Sequence, residues 1–291
     1  MFFGGFFFIQ AKGQDTGPVS SADPATIAQV NQGNSYITFP ADIGNIEPLW
    51  FEANLSPAFY IRKSRSSRLM GVLTPQMIIR MYQERSYPVR TPSYIPQISA
   101  YYLMSANNAK NTFSLFGKIA HHSNGQDGDF YLENGEINLL SGDFATNYFE
   151  VGLIRTSFVS RFNAHQFLKT SLEVHPRSWS ADELAGRYST VRWHNTILFF
   201  KLPVTENKDL RQKAQLSLKA ETTWMFGSVN GWDDFSSKRL NVKLTLYYHP
   251  TFLEDIGFFA QIYRGMDYYN IYFNHQLEVI RFGLMTEKLR F

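Results

Sequence analysis

From residue 35 onward, apolar and polar side chains alternate with a period of two in short runs, as strands do when only one face is buried. In 238–250, Leu240, Val242, Leu244 and Leu246 alternate with Asn241, Lys243 and Thr245. In 212–226, Ala214, Leu216, Leu218 and Ala220 alternate with Gln215, Ser217, Lys219 and Glu221. The pattern predicts twelve strands, over 35–41, 48–62, 68–83, 93–105, 112–122, 146–160, 167–178, 188–202, 212–226, 238–250, 256–265 and 277–290. An even number lets both ends of a closed barrel lie on the same side of a membrane. The connections 63–67, 106–111, 161–166 and 251–255 are short, whereas 123–145, 179–187, 227–237 and 266–276 are mostly longer and richer in Gly, Asn, Asp or Ser. Short turns alternating with long loops are the periplasmic and extracellular ends of outer-membrane barrels. The expected fold is all-β, a twelve-stranded antiparallel transmembrane β-barrel over 35–291. A pair of soluble β-sandwiches offers no reason for the loop asymmetry.

Composition narrows the function classes. A net charge of +3 on 291 residues, with no basic stripe, argues against a nucleic-acid partner. Aromatics reach 16 %, with 26 Phe and 16 Tyr, yet mean hydropathy is only −0.25 and no apolar run reaches 18 residues. No helix is therefore expected to cross a membrane, while strands that bury alternate residues in lipid suit these values. Inward parity for Lys219, Glu221, Lys243 and Glu150 lets these charges pair inside, whereas Lys at the lipid midplane costs about 2–4 kcal/mol. The absence of Cys removes disulfide and thiolate chemistry and suits passage through an oxidising periplasm. Met1 to Ile9 is apolar and Ala11-Lys12-Gly13 is a small-x-small site, so 1–13 reads as a secretory signal. A basic segment before it is missing, which suggests a start upstream of Met1. Residues 14–34 read as a flexible leader. The terminal Phe291 is typical of barrels delivered to outer-membrane assembly.

The candidate chemistry sits where the fifth strand ends, at His121-His122-Ser123-Asn124-Gly125. By parity Phe113, Leu115, Ile119, His121 and Ser123 share the apolar face, and His122 takes the other as an interior hydrogen-bonded group. A base and a nucleophile therefore extend a lipid-facing surface, which suits an esterase whose substrate is itself lipid. Counting from a periplasmic N-terminus puts them at the outer rim. On the next strand Asn147 shares the apolar face with Phe149 and Val151, about 4.8 Å away across the ladder. Ser123 would attack an ester carbonyl, His121 would carry the proton, and Asn147 would orient His121. A neutral Asn stabilises imidazolium less than Asp, so the oxyanion needs donors such as the backbone N–H groups of Ser123 and Gly125, with help from a bound Ca²⁺. The remaining histidines show no metal-ligand spacing, and Trp50, Trp193 and Trp224 read as interface-belt aromatics. Asp127 and Asp129 are further acidic loop candidates.

These residues resemble outer-membrane phospholipase A. The family's His-x-Ser-Asn-Gly stands as His121 to Gly125, and its catalytic Asn segment resembles Asn147-Tyr148-Phe149. Pro88-Val89-Arg90-Thr91-Pro92-Ser93-Tyr94-Ile95-Pro96-Gln97 resembles another family stretch, and Gln261 to Gly265 with Arg281 to Phe291 resembles its last two strands. The resemblance implies twelve strands, phospholipase A1/A2 and lysophospholipase activity on membrane phospholipid, Ca²⁺ as cofactor, an outer-membrane location and activation as a homodimer. It assigns Ca²⁺ to the Gln126 carbonyl, where the family usually has Arg, to Ser141 or Asp143, and to Ser86 of a partner subunit. It offers Gln83 as a dimer-interface group, a lumen Gln being the alternative. A lipid A deacylase-like barrel, and a non-enzymatic barrel with a silent triad, are the competing readings.

Overall fold

The computed structural model describes residues 24–38, 43–44, 48–64, 67–105, 111–159, 161, 164–201, 216–250, 252–253 and 255–286. The expected signal at 1–13, the first part of the leader and Phe291 lie outside them. The strands are β1 (Tyr36–Thr38), β2 (Leu49–Leu55 and Phe59–Ile61), β3 (Leu69–Tyr82), β4 (Ser93–Ser105), β5 (Asn111–Ser123) and β6 (Ala145–Val159). They continue as β7 (Ala164–Val174), β8 (Val191–Lys201), β9 (Leu216–Phe226), β10 (Leu240–Tyr248), β11 (Ile256–Met266) and β12 (Gln276–Thr286). The two parts of β2 both pair with β3, on either side of Pro57, which has no N–H for the ladder. Every neighbouring pair is antiparallel, and β1 joins β12 to β2, so the sheet closes into a twelve-stranded barrel.

Two expected features change. The strand predicted over 167–178 stops at Val174, because Pro176 removes a donor and leads into a 3₁₀ turn at Arg177–Trp179. The leader expected to be loose contains a helix, α1, over Pro24–Gln32. Its Ile27, Ala28 and Val30 are buried against Met70, Val72, Tyr101, Phe116, Ile154, Phe167, Leu198 and Phe200. Asn31 Nδ2 donates to the Tyr101 hydroxyl at 2.8 Å, and Gln32 Nε2 to Thr74 Oγ1 at 2.8 Å. The leader is polar on average, but its few apolar residues recur at helical spacing and find an apolar layer of inward-facing side chains.

That layer lies at one rim of the barrel, called the lower rim here, where β3, β5 and β7 begin. At the upper rim, where β5 ends, Phe130, Phe144, Tyr188, Met225, Val229, Tyr269, Ile271, Tyr272 and Phe273 close over a second apolar layer. Between the two lies a polar lumen with a cavity of about 420 Å³. Its charges are paired, as inward parity predicted. Glu150 meets Lys118 at 2.5 Å and Lys169 at 2.8 Å, and Glu221 meets Lys219 at 2.9 Å and Lys243 at 2.8 Å. Glu52 bridges Arg80 and Arg281 at 2.8 and 2.9 Å, and Arg80 also holds Asp267 at 2.7 Å. Outside, Leu218, Val242, Leu244, Leu246, Ile262 and Phe282 are exposed, forming the apolar belt a membrane barrel needs. No helix of the described residues is long and apolar enough to cross a membrane.

Candidate active site

Strict alternation along β5 decides where its polar end residues go. Thr112, Ser114, Phe116, Ala120 and His122 are buried toward the lumen, while Phe113, Leu115 and Ile119 are exposed and His121 and Ser123 are half-buried on the outward side. The β5–β6 register pairs His121 directly with Asn147, and Ser123 with Ala145. His121 Nδ1 and Asn147 Oδ1 lie 2.8 Å apart. Asn147 Nδ2 donates to the Trp179 carbonyl at 2.8 Å. A carbonyl only accepts, so the amide nitrogen is fixed on the Trp179 side and Oδ1 on the imidazole side. In the neutral ring His121 Nδ1 then carries the proton, which leaves Nε2 as the acceptor on the face that also carries Ser123. Among the described residues the Ser123 hydroxyl has no hydrogen-bond partner.

Beyond Ser123 the chain is held by Asn124, which is almost fully buried. Its Oδ1 accepts from the N–H groups of Gln126 at 3.2 Å and Phe144 at 3.0 Å, and its Nδ2 donates to the Gly142 carbonyl at 2.8 Å. Its own N–H donates to the Phe144 carbonyl at 3.1 Å. One carboxamide thus clamps both ends of the 124–144 loop. Gly125 takes φ +67°, a left-handed conformation that suits glycine. With the Gln126 N–H engaged by Asn124, the Gly125 N–H has no acceptor among the described residues and is available to a ligand.

The expected cation ligands are partly brought together. The backbone at Gln126 and at Asp143 lies at the loop neck, since the Gln126 and Phe144 N–H groups share one acceptor and the Asp143 N–H donates to the Gly128 carbonyl at 2.9 Å. Burial, reinforced by the nearby Glu183 and then Asp129 carboxylates, pushes the Asp143 carboxyl above its ordinary value. A carboxyl crowded by like charge is stabilised by a cation, and its oxygen with a backbone carbonyl suits Ca²⁺. Ser141 is exposed, and its hydroxyl accepts from Asn138 Nδ2 at 3.0 Å, within the loop's own network. Ser86 is exposed in the neighbouring turn of the same rim, at φ 71°. Among the described residues no three His, Cys, Asp or Glu converge on a common metal position. Gln83 lies just past the end of β3, exposed at the upper rim, its N–H donating to Pro48 O at 2.9 Å. The lumen alternative for Gln83 therefore fails, since even-numbered residues of β3 point inward.

Other residues depart from the sequence reading. His122 is buried but meets its neighbour through a ring, edge-on to Phe144 at 5.0 Å, and its Nε2 has no hydrogen-bond partner. Glu173 gathers His175 at 2.9 Å, Arg192 at 3.3 Å and His194 at 3.4 Å within the lumen. Only the Glu173-x-His175 parity hinted at that cluster. Trp179, unremarked in the sequence, stands beside Asn147 at the rim, 46 % exposed. Trp50 and Trp193 are exposed outward near the same rim, as expected of belt residues.

The arrangement is that of a transmembrane barrel with a Ser, His and Asn grouped on the outward face of one rim. Its fold is that of outer membrane phospholipase A. The Escherichia coli protein matches with a TM-score of 0.60 at 13 % identity, over 91 % of this chain and 98 % of that one. An active-site mutant of it, at pH 6.1, matches with a TM-score of 0.56 at 14 % identity, over 94 % of each chain. The Salmonella typhi outer membrane phospholipase dimer with bound calcium matches with a TM-score of 0.58 at 14 % identity, over 92 % of this chain and 98 % of that one. No protein-family model and no curated protein sequence matches the chain. At such identities the likeness establishes a shared fold.

Proposed function

We propose that the protein is a Ca²⁺-dependent serine esterase that hydrolyses acyl ester bonds of membrane glycerophospholipids, with phospholipase A1/A2 and lysophospholipase activity, in the outer membrane of a Gram-negative bacterium. The observation that carries this reading is the 2.8 Å contact of His121 Nδ1 with Asn147 Oδ1, with Ser123 on the same outward face of the strand. His121 Nε2 takes the Ser123 proton as the hydroxyl oxygen bonds to the ester carbonyl carbon. The tetrahedral oxyanion is met by backbone N–H groups of the Ser123–Gly125 turn. His121 then returns its proton to the leaving alcohol, and water repeats the exchange to release the fatty acid. Asn147 holds the ring in the tautomer this requires.

The apolar wall around Ile119, Phe149 and Val151, all exposed, supports a substrate that stays in the bilayer. The Gln126 carbonyl and the Asp143 carboxylate would hold Ca²⁺ on this chain, and Asp143 fits better than Ser141, whose hydroxyl is tied to Asn138. Bound there, the ion would add positive potential beside the developing oxyanion. Ser86 and Gln83, exposed at the same rim, are the groups a second copy would contact in an active homodimer. The catalytic rim faces the outer leaflet in this reading. The test is fatty-acid release by purified protein in mixed micelles, with and without Ca²⁺. The proposal is lost if wild type and Ser123→Ala release fatty acid at equal rates. Cleavage of lipid A without cleavage of phosphatidylethanolamine would favour a deacylase instead.

A further inference from the structure

The third member of the group is an amide where many serine hydrolases carry a carboxylate, and the surroundings of Asn147 give a physical reason. Strand β7 leaves β6 early, since its last pair is Phe149 with Val174. The edge of β6 from Ala145 to Tyr148 is taken over by the turn that follows. Ser180 bridges Thr146, the Ala181 N–H donates to the Ala145 carbonyl at 2.9 Å, and Thr146 Oγ1 meets Ser180 Oγ at 2.7 Å and His175 Nδ1 at 2.9 Å. Within that docked segment the Trp179 N–H donates to the Pro176 carbonyl at 2.9 Å, and the Trp179 carbonyl is presented to Asn147. The side chain at 147 therefore stands between a ring N–H, which needs an acceptor, and a carbonyl, which needs a donor. An amide supplies both, whereas an ionised carboxylate supplies only acceptors and would set an oxygen against the carbonyl oxygen.

We propose that the 176–181 turn is a positioning element of the site, and that through the Trp179 carbonyl it selects Asn at position 147 and fixes the imidazole tautomer. The inference rests on the esterase reading. It inverts the ordinary expectation for Asn147→Asp. A carboxylate would by itself stabilise the imidazolium better and raise the rate. Here the substitution lowers kcat about tenfold or more while KM stays within about twofold, because the damage is to ring orientation and not to lipid binding.

The companion variant is Thr146→Val, which removes the hydroxyl that ties the turn to β6 and changes little volume. On the wild-type background it lowers kcat about threefold to tenfold, since only main-chain bonds then hold the turn and the carbonyl is less firmly set at the amide. On the Asn147→Asp background it raises kcat, because the repelling carbonyl is free to withdraw. Such a reversal of sign is not produced by general loss of structure. Folding of every variant is checked by heat-modifiable gel mobility, and competence of the nucleophile by labelling of Ser123 with a long-chain alkylphosphonate. The inference is overturned if Asn147→Asp matches or exceeds wild type, or if Thr146→Val lowers kcat equally on both backgrounds. The esterase reading fails separately, if wild type neither takes the label nor turns over.

Discussion

His121 and His122 are adjacent in the chain and stand on opposite sides of a wall one residue thick. His121 is half-buried on the outward face, hydrogen-bonded through Nδ1 to Asn147, with its other nitrogen available. His122 is buried in the lumen, edge-on to Phe144, under the aromatic layer that closes the upper rim. The same imidazole is oriented by an amide, with one nitrogen left open, in one place and used as a packing group in the other. The difference comes from the pleat, which sends alternate side chains to lipid or to lumen, and from what each side supplies. The outward face supplies an oriented amide and an uncommitted hydroxyl. The lumen supplies aromatic rings, and its charges already satisfy one another.

The sharpest way to break this contrast is to exchange the two sides' importance. Ser123→Ala should lower turnover by about 10³-fold or more, as loss of a nucleophile does. His122→Phe, at the residue next to His121, should leave kcat within about threefold. Equal losses in a fatty-acid release assay would erase the distinction.

The lumen should show itself in stability instead. Glu150→Gln leaves Lys118 and Lys169 without their shared carboxylate, and breaking a buried pair costs about 3 kcal/mol. Urea unfolding of the purified barrel would register that loss, while the folded fraction keeps its turnover number. An unchanged unfolding midpoint would mean that lumen water, and not Glu150, satisfies the two lysines.

A smaller effect is expected at the rim loop. Because burial and its acidic neighbours raise the Asp143 carboxyl, it gains its proton at a higher pH than an ordinary Asp as the solution is acidified. If Asp143 holds Ca²⁺ as proposed, the ion needs its carboxylate, so apparent Ca²⁺ affinity should fall as pH drops, with an onset at higher pH than an ordinary Asp would give. Asp143→Asn should weaken Ca²⁺ activation at neutral pH and flatten this pH dependence, read from Ca²⁺ titrations of activity at several pH values. A steep dependence persisting in Asp143→Asn would move the ligand elsewhere. The least effect belongs to Arg264→Ala, whose partner Glu278 meets it at 2.8 Å with both side chains 71 % exposed. That substitution should shift stability by less than about 1 kcal/mol, since solvent already screens the pair.

Much of this contrast is legible in the chain itself. Period-two alternation assigns β5 and β6 their faces, and the register that follows puts His121 opposite Asn147. Parity also placed Lys219, Glu221 and Lys243 inside, where they pair. What escaped the sequence has no period to reveal it. The helix over Pro24–Gln32 is nine residues long, and its apolar positions count only when Met70, Tyr101 and Phe116 are known to form an inward layer. The Trp179 carbonyl is a backbone group, which no residue pattern can mark. The Asn124 clamp was visible only as part of a common Asn-Gly turn, although its carboxamide turns out to fix both ends of the loop. For Gln83 the sequence left the lumen open beside the dimer face, and the structure leaves it exposed just past β3, where Ser86 and Tyr87 follow at positive φ.

The two apolar layers that cap the lumen carry a consequence for ionic strength. Dissolved salt weakens an attraction only where mobile ions can gather around the charges. The two carboxylate–lysine pairs of Glu150, whose side chain is 3 % exposed, lie between the helix layer and the aromatic layer, away from bulk electrolyte. Raising salt from tens of millimolar to about 1 M, which shortens the screening length to about 3 Å, should therefore leave their contribution to the fold nearly intact. Removal of residues 24–32 would open the lower cap and make the same pairs sensitive to salt. In that sense the short helix acts as a dielectric seal, keeping the barrel's internal charges answerable to one another and not to the medium outside.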